Sequence, residues 1–90
     1  AYFSRCLSLE WARYNIHVNA LAPGPLESDL MSRLTGGYDP KVLGRYLKDI
    51  PMRRLGQTRE IAIMAVFLAS KASDYMTGQV VGMDGGGSAR

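Results

Sequence analysis

The chain has 90 residues, 47% hydrophobic, 21% charged and 9% aromatic, a globular mixture that argues against disorder, collagen and a coiled coil. Its net charge of +3 comes from 11 basic and 8 acidic side chains mixed along the chain, so charge gives no nucleic-acid signature. The single cysteine excludes an internal disulfide framework, and no apolar run approaches the roughly 18 residues of a membrane span. The opening Ala1-Tyr-Phe-Ser-Arg-Cys-Leu lacks an initiating Met, has Glu10 close behind, and does not read as a signal peptide.

Residues 1–14 read as a helix. Phe3, Cys6, Leu7, Trp11 and Tyr14 recur at spacings of three and four and give one apolar face. Asn15 suits the left-handed stop. Ile16-His-Val-Asn-Ala-Leu21 is short, apolar and branched, which predicts a strand buried on both faces and ended by Pro23-Gly24-Pro25.

Residues 22–57 hold all four prolines and glycines 24, 36, 37, 44 and 56. Ser28 to Leu34 reads as a short helix with Leu30, Met31 and Leu34 on one side. Asp39-Pro40 reads as a cap and first helical position, with Val42, Leu43, Tyr46 and Leu47 as the apolar side. So long a connection in short pieces predicts a functional lid.

Thr58 is expected to cap the next helix, with Glu60 in its positive first turn. Ile61, Met64, Ala65 and Leu68 mark its buried face, and it ends near Ser70. Asp74 to Gly78 is a turn and Gln79 to Met83 a second short strand. Asp84-Gly85-Gly86-Gly87 then closes the regular structure as a flexible terminus. The order is helix, strand, lid helices, helix, strand. It implies an α/β fold with two parallel strands. Two strands leave unpaired edges and make no stable sheet alone, so the chain reads as part of a larger domain or as a segment needing partners.

Ile16-His-Val-Asn-Ala-Leu-Ala-Pro-Gly24, preceded by Leu9-Glu10-Trp-Ala, resembles the sixth strand and Pro-Gly turn of the classical short-chain dehydrogenase/reductases. Leu26-Glu27-Ser28-Asp29-Leu30 resembles the continuation, with Ser28 where that family usually has Thr. Pro51-Met-Arg-Arg54-Leu-Gly56 with Glu60-Ile61-Ala62 resembles the entry to its last long helix. Thr77-Gly78-Gln79 with Asp84-Gly85-Gly86 resembles its final strand. The matches run in register over nearly the whole chain.

The resemblance implies the C-terminal part of a doubly wound, Rossmann-like parallel sheet. Residues 1–28 would form helix, strand and nicotinamide turn, 29–57 the substrate lid, and 58–90 the last helix and strand. It implies an oxidoreductase moving hydride between NAD or NADP and a small alcohol or ketone, in a cytoplasmic homotetramer or homodimer without nucleic-acid or membrane partners. Pro23, Gly24, Leu26 and Ser28 would contact the cofactor. Pro25, Met31, Leu34 and Tyr46 would belong to the substrate lid. The family's catalytic Ser and Tyr-x-x-x-Lys precede this segment, and Tyr2 is not that Tyr because position 6 is Cys. No Gly-x-Gly-x-x-Gly is present. No catalytic residue is therefore assigned, and the 90 residues alone are not expected to turn over. The alternative is a non-catalytic module that docks onto full-length subunits.

Several features have a plainer reading beside the sharper one. Ser28 can cap the following helix as well as meet a cofactor, through different lone pairs. Cys6 reads as a small buried hydrophobe, and lone His17 does not make a metal site. Arg54 is expected to pair with a carboxylate such as Glu60 and hold the lid root; a phosphate on Arg53-Arg54 is the alternative. Tyr2, Phe3, Trp11 and Tyr14 read as core and interface packing ahead of a base-stacking surface.

Overall fold

A computed structural model describes residues 2–89. Helix α1 (Tyr2–Trp11) continues as one 3-10 turn over Ala12–Tyr14 and stops at Asn15, at φ 59°. That left-handed stop is the expected one. Only the α-helical part is shorter than the expected 1–14, and Ala1 lies outside the described residues.

Strand β1 (Ala20–Pro23) starts four residues later than the expected Ile16. Residues 16–19 are held by a different set of bonds. Val18 N–H donates to Thr77 Oγ1 at 3.0 Å, and Val18 C=O accepts from Gly78 N–H at 2.8 Å. The Asn19 side chain donates to Met76 C=O at 3.3 Å and accepts from Gln79 N–H at 3.1 Å. Side chains thus occupy Val18 N–H, Met76 C=O and Gln79 N–H, backbone groups that a ladder would need. Strand β2 (Val80–Met83) pairs parallel with β1, Ala20 opposite Val80 through Pro23 opposite Met83. Gln79 falls just outside it. Pro23 is tolerated because it ends its strand.

Between the strands lie α2 (Asp29–Leu34), α3 (Pro40–Leu47) and α4 (Thr58–Ala69). Ser28 caps α2 and Asp39 caps α3, accepting from Met31 N–H at 3.1 Å and Lys41 N–H at 2.9 Å. The cap of α4 is Gln57, one residue before the expected Thr58. Glu60 decides this, because its carboxylate reaches back to Gln57 N–H at 3.0 Å and fixes that residue as the entry. Along α4 Ile61, Met64 and Leu68 are half-buried, as the spacing predicts, while Ala65 is exposed.

Among the described residues only Ile50 and Leu55 are buried apolar side chains, at 5% and 6% exposure. The expected packing of Phe3, Trp11 and Tyr14 is not seen within this chain. Phe3 is 75% exposed and Tyr14 61%. Cys6 is exposed too, not buried. Leu7, on the same face of α1, is half-buried. The radius of gyration is 16.0 Å, against about 12 Å for a compact domain of this length. The accessible surface is 6637 Å², against about 5200 Å² expected for a closed monomer of this mass.

Candidate functional site

Both parallel strands end on the same side, and their exits touch. Gly24 N–H donates to Met83 C=O at 3.0 Å. A Cβ on Gly24 would lie 2.8 Å from Asp84 Cβ and 2.9 Å from Asp84 Cα, so only glycine lets the two exits pass. The chain then runs through Pro25 into a parallel bridge between Leu26 and Gly56. Gly56 N–H donates to Pro25 C=O at 3.0 Å, and Glu27 N–H to Gly56 C=O at 2.8 Å. The bridge is made by the neighbours of Leu26, which turns Leu26's own N–H and C=O to its opposite side.

Ser28 closes this turn. Its Oγ accepts from Met31 N–H, so its hydroxyl hydrogen is left for another acceptor. The Tyr38 hydroxyl accepts from Ser28 N–H and donates to Ser28 C=O, each at 3.1 Å.

The far end of the 29–57 segment is anchored by three devices. Arg54 forms a two-point pair with Glu60, Nη1 to Oε1 at 2.8 Å and Nη2 to Oε2 at 3.0 Å, and also donates to Leu55 C=O. This is the expected pairing. The Arg54 hydrogen bond and the Gln57 N–H hold the Glu60 carboxyl down to about 2, and Glu60 in turn raises the Arg54 guanidinium. Arg53, at φ 56°, donates to the carbonyls of Leu47 and Lys48 and so caps the end of α3. Both arginines are thus tied into the root of the segment.

The third device is the turn after β2. Asp84 accepts from Gly86 N–H at 3.0 Å and Ser88 N–H at 3.1 Å. Hydrogen bonding with Ser88 and then with Gly86 N–H lowers its carboxyl below the usual value. Gly85 C=O accepts from Met52 N–H at 3.0 Å. Gly85 sits at φ 63°, and a Cβ there would lie 2.7 Å from Ile50 Cγ2. The expected flexible terminus is therefore a packed, hydrogen-bonded turn over the described residues. Its signal in the sequence was an Asp followed by glycines, the composition of an Asx-stabilised turn.

A pocket of about 270 Å³ opens between these anchors. Pro25 and Leu26 wall it on one side, Ile50 and Met52 on another, with Arg54 and Asp84 at its polar edge. Of the residues singled out from sequence, Pro23, Gly24, Leu26 and Ser28 lie on one continuous turn. Pro25 joins them at the pocket. Met31, Leu34 and Tyr46 do not wall it: they sit on α2 and α3, Leu34 at 51% exposure. Tyr38, Asp84 and Gly85 bind this region together; the sequence marks Asp84-Gly85 as the end of the last strand but gives none of the three a site role. His17 bonds Asn15 through Nε2 at 3.1 Å, and no group of three or more His, Cys, Asp or Glu among the described residues could hold a metal ion.

The donor set fits a carboxamide. Leu26 offers one N–H and one C=O side by side, and Ser28 a hydroxyl hydrogen, on a turn where Gly24 carries no side chain. A primary amide carries two N–H donors and a C=O with two lone pairs, so it can donate to the Leu26 C=O and accept from both the Leu26 N–H and the Ser28 hydroxyl.

A family model described as Enoyl-(Acyl carrier protein) reductase matches residues 1–88. The chain is 44% identical over 84 residues to the 3-oxoacyl-[acyl-carrier-protein] reductase FabG of Chlamydia muridarum, covering 93% of this chain and 32% of that protein. The Pseudomonas aeruginosa RhlG/NADP active-site complex superposes with a TM-score of 0.86 at 38% identity, over 96% of this chain and 33% of that one. A short-chain type dehydrogenase/reductase from Mycobacterium ulcerans superposes with a TM-score of 0.89 at 30% identity, over 99% of this chain and 32% of that one. The chain spans about a third of the length of the curated relatives it matches. The two parallel strands and their helices are thus part of a Rossmann-like α/β fold.

Proposed function

From a chain that belongs to the short-chain dehydrogenase/reductase family, we infer that the full-length protein transfers hydride between NAD or NADP and a small alcohol or ketone. The Leu26–Gly56 bridge carries this reading, because it turns a matched N–H and C=O outward at the carboxyl end of β1. Ligands of doubly wound sheets bind at that end of the strands. The nicotinamide, when bound, accepts or supplies the hydride. Leu26 holds its carboxamide by two backbone bonds, and Ser28 adds a third through its hydroxyl hydrogen. Pro23 and Gly24 bring the backbone close to the ring. Pro25 and the 29–57 segment, with Met31, Leu34 and Tyr46 on its helices, cover the substrate and exclude water. No residue of this chain is assigned the proton transfer to the substrate oxygen.

The protein works as a homo-oligomer in the cytoplasm under this reading. The exposed apolar residues Phe3 on α1 and Ile63 and Val66 on α4 mark faces that need cover, from the rest of the same domain or from a second subunit. No helix among the described residues is long and apolar enough to cross a membrane. A second reading, a non-catalytic module docking onto full-length subunits, would cover the same faces. Turnover by the full-length protein separates the two.

Titration of the full-length protein with NADH and NADPH, followed by fluorescence, tests the function. Saturable binding of one of them is expected, weakened in Ser28→Ala and retained in Ser28→Thr. Binding of neither dinucleotide overturns the reading.

A further inference from the structure

Tyr38 takes no part in that reading, yet its backbone is held at φ 65°. L-residues other than Asn and Asp enter this left-handed region at a steric cost, and the two residues before Tyr38, also at positive φ, are glycines. A bulky side chain kept at such a position points to a contact that glycine could not make. That contact is the two-point bond from the Tyr38 hydroxyl to Ser28 N–H and C=O, both at 3.1 Å.

The other side of Tyr38 is fixed as well. Its N–H donates to Thr35 Oγ1 at 3.0 Å, and that hydroxyl donates to Met31 C=O at 2.7 Å. Thr35 is completely buried, at 0% exposure. Met31 N–H returns to Ser28 Oγ. The bonds form a closed circuit through Ser28, Met31, Thr35 and Tyr38. Within it both backbone groups of Ser28 and one lone pair of its hydroxyl are engaged, and the hydroxyl hydrogen remains.

We propose that Tyr38 is a positioning residue: by gripping both backbone polar groups of Ser28 it aims the Ser28 hydroxyl at the cofactor carboxamide and ties the tip of the 29–57 segment to the cofactor turn. This rests on the cofactor role given to Ser28 above. Cofactor binding and the order of this segment are then coupled through one phenol oxygen.

The test compares Tyr38→Phe and Tyr38→Gly in the full-length protein, using NADH and NADPH as probes. Phenylalanine keeps the ring and removes both bonds; glycine removes the bonds and relieves the backbone. Both variants are expected to bind the preferred dinucleotide about five- to tenfold more weakly, the range set by one net hydrogen bond. Tyr38→Gly is expected to do so without a fall in Tm, a combination that a purely structural tyrosine would not produce. A Tm fall in both variants with unchanged affinity overturns the proposal. Hydrogen exchange at Ser28 N–H without cofactor is the second readout, with protection expected in the wild type and lost in Tyr38→Phe. If the wild type binds neither dinucleotide, the cofactor reading fails and the proposed aiming role fails with it. Ser28 exchange then decides whether the grip itself exists, and an unprotected wild-type Ser28 overturns that too.

Discussion

The segment 29–57 and the frame around it, α1, β1, α4 and β2, exchange the roles their sequences suggest. The segment is broken by prolines and glycines, yet it holds the buried residues Thr35, Ile50 and Leu55 and is closed by named side-chain bonds. The frame is regular, yet among the described residues it exposes Phe3, Ile63 and Val66 and leaves two sheet edges unpaired. Regular secondary structure satisfies the backbone but leaves apolar faces that need a partner. Short pieces joined by capped turns satisfy their polar groups locally, although Leu30, Leu34 and Met52 of the segment also stay exposed. Periodicity therefore measures how much cover an element needs, and not how complete it is.

Gly85→Val in the full-length protein would break the comparison most severely, since it attacks the place where segment and frame meet. A β-branched residue at φ 63° with Ile50 Cγ2 already 2.7 Å from the Cβ position is expected to cost about 3 kcal/mol in urea unfolding. Ile50→Ala comes next. It removes one of the two apolar side chains buried among the described residues, with an expected loss of about 2 kcal/mol. A loss near zero would show that the segment has no apolar centre of its own.

The frame is tested by Val66→Ser, at a position 70% exposed. On a face that stays bare the change is worth less than about 0.5 kcal/mol. The homo-oligomer instead predicts a shift towards smaller species in sedimentation. The smallest effect is expected from acid. Glu60 titrates at about 2 when folded, against the ordinary 4.5. Its contribution is complete above the unfolded value and fades as pH falls from about 4.5 towards 2. Glu60→Gln should flatten that part of the stability profile, and a profile unchanged by the substitution would remove the Arg54–Glu60 pair from the list of anchors.

What could be read from sequence was local. Asp39-Pro40, Ser28 and Asn15 act within a few residues of themselves, so their chemistry shows in order along the chain. Arg54 and Glu60 are six apart, across a single loop-to-helix entry, and were also legible. The start of β1 was not, because Thr77 and Asn19 settle it between positions about sixty apart. The packing of Gly85 and Gly86 against Ile50 and Pro51 was hidden for the same reason, although the Asp84 turn itself had a local mark. Cys6 and Phe3 follow a helical period correctly, but period gives no information on whether anything lies opposite. At the candidate site Gly24, Leu26 and Ser28 were legible as a turn. The phenol of Tyr38 was not, because nothing in the local pattern marks which tyrosine will fold back ten residues.

The parallel pairing of Ala20 with Val80 also sets a clock. A ribosome adding about 5–20 residues per second leaves β1 waiting roughly 3–12 s for β2 to be made. Closing a loop of that length then costs on the order of 3–4 kcal/mol of chain entropy. During the wait the edge of β1 that β2 will cover is open to other nascent strands. Lengthening the segment between the strands would extend this interval in proportion, while the entropy of closure would grow only as a logarithm. Insertions there would therefore reduce the yield of folded protein long before they reduced its equilibrium stability.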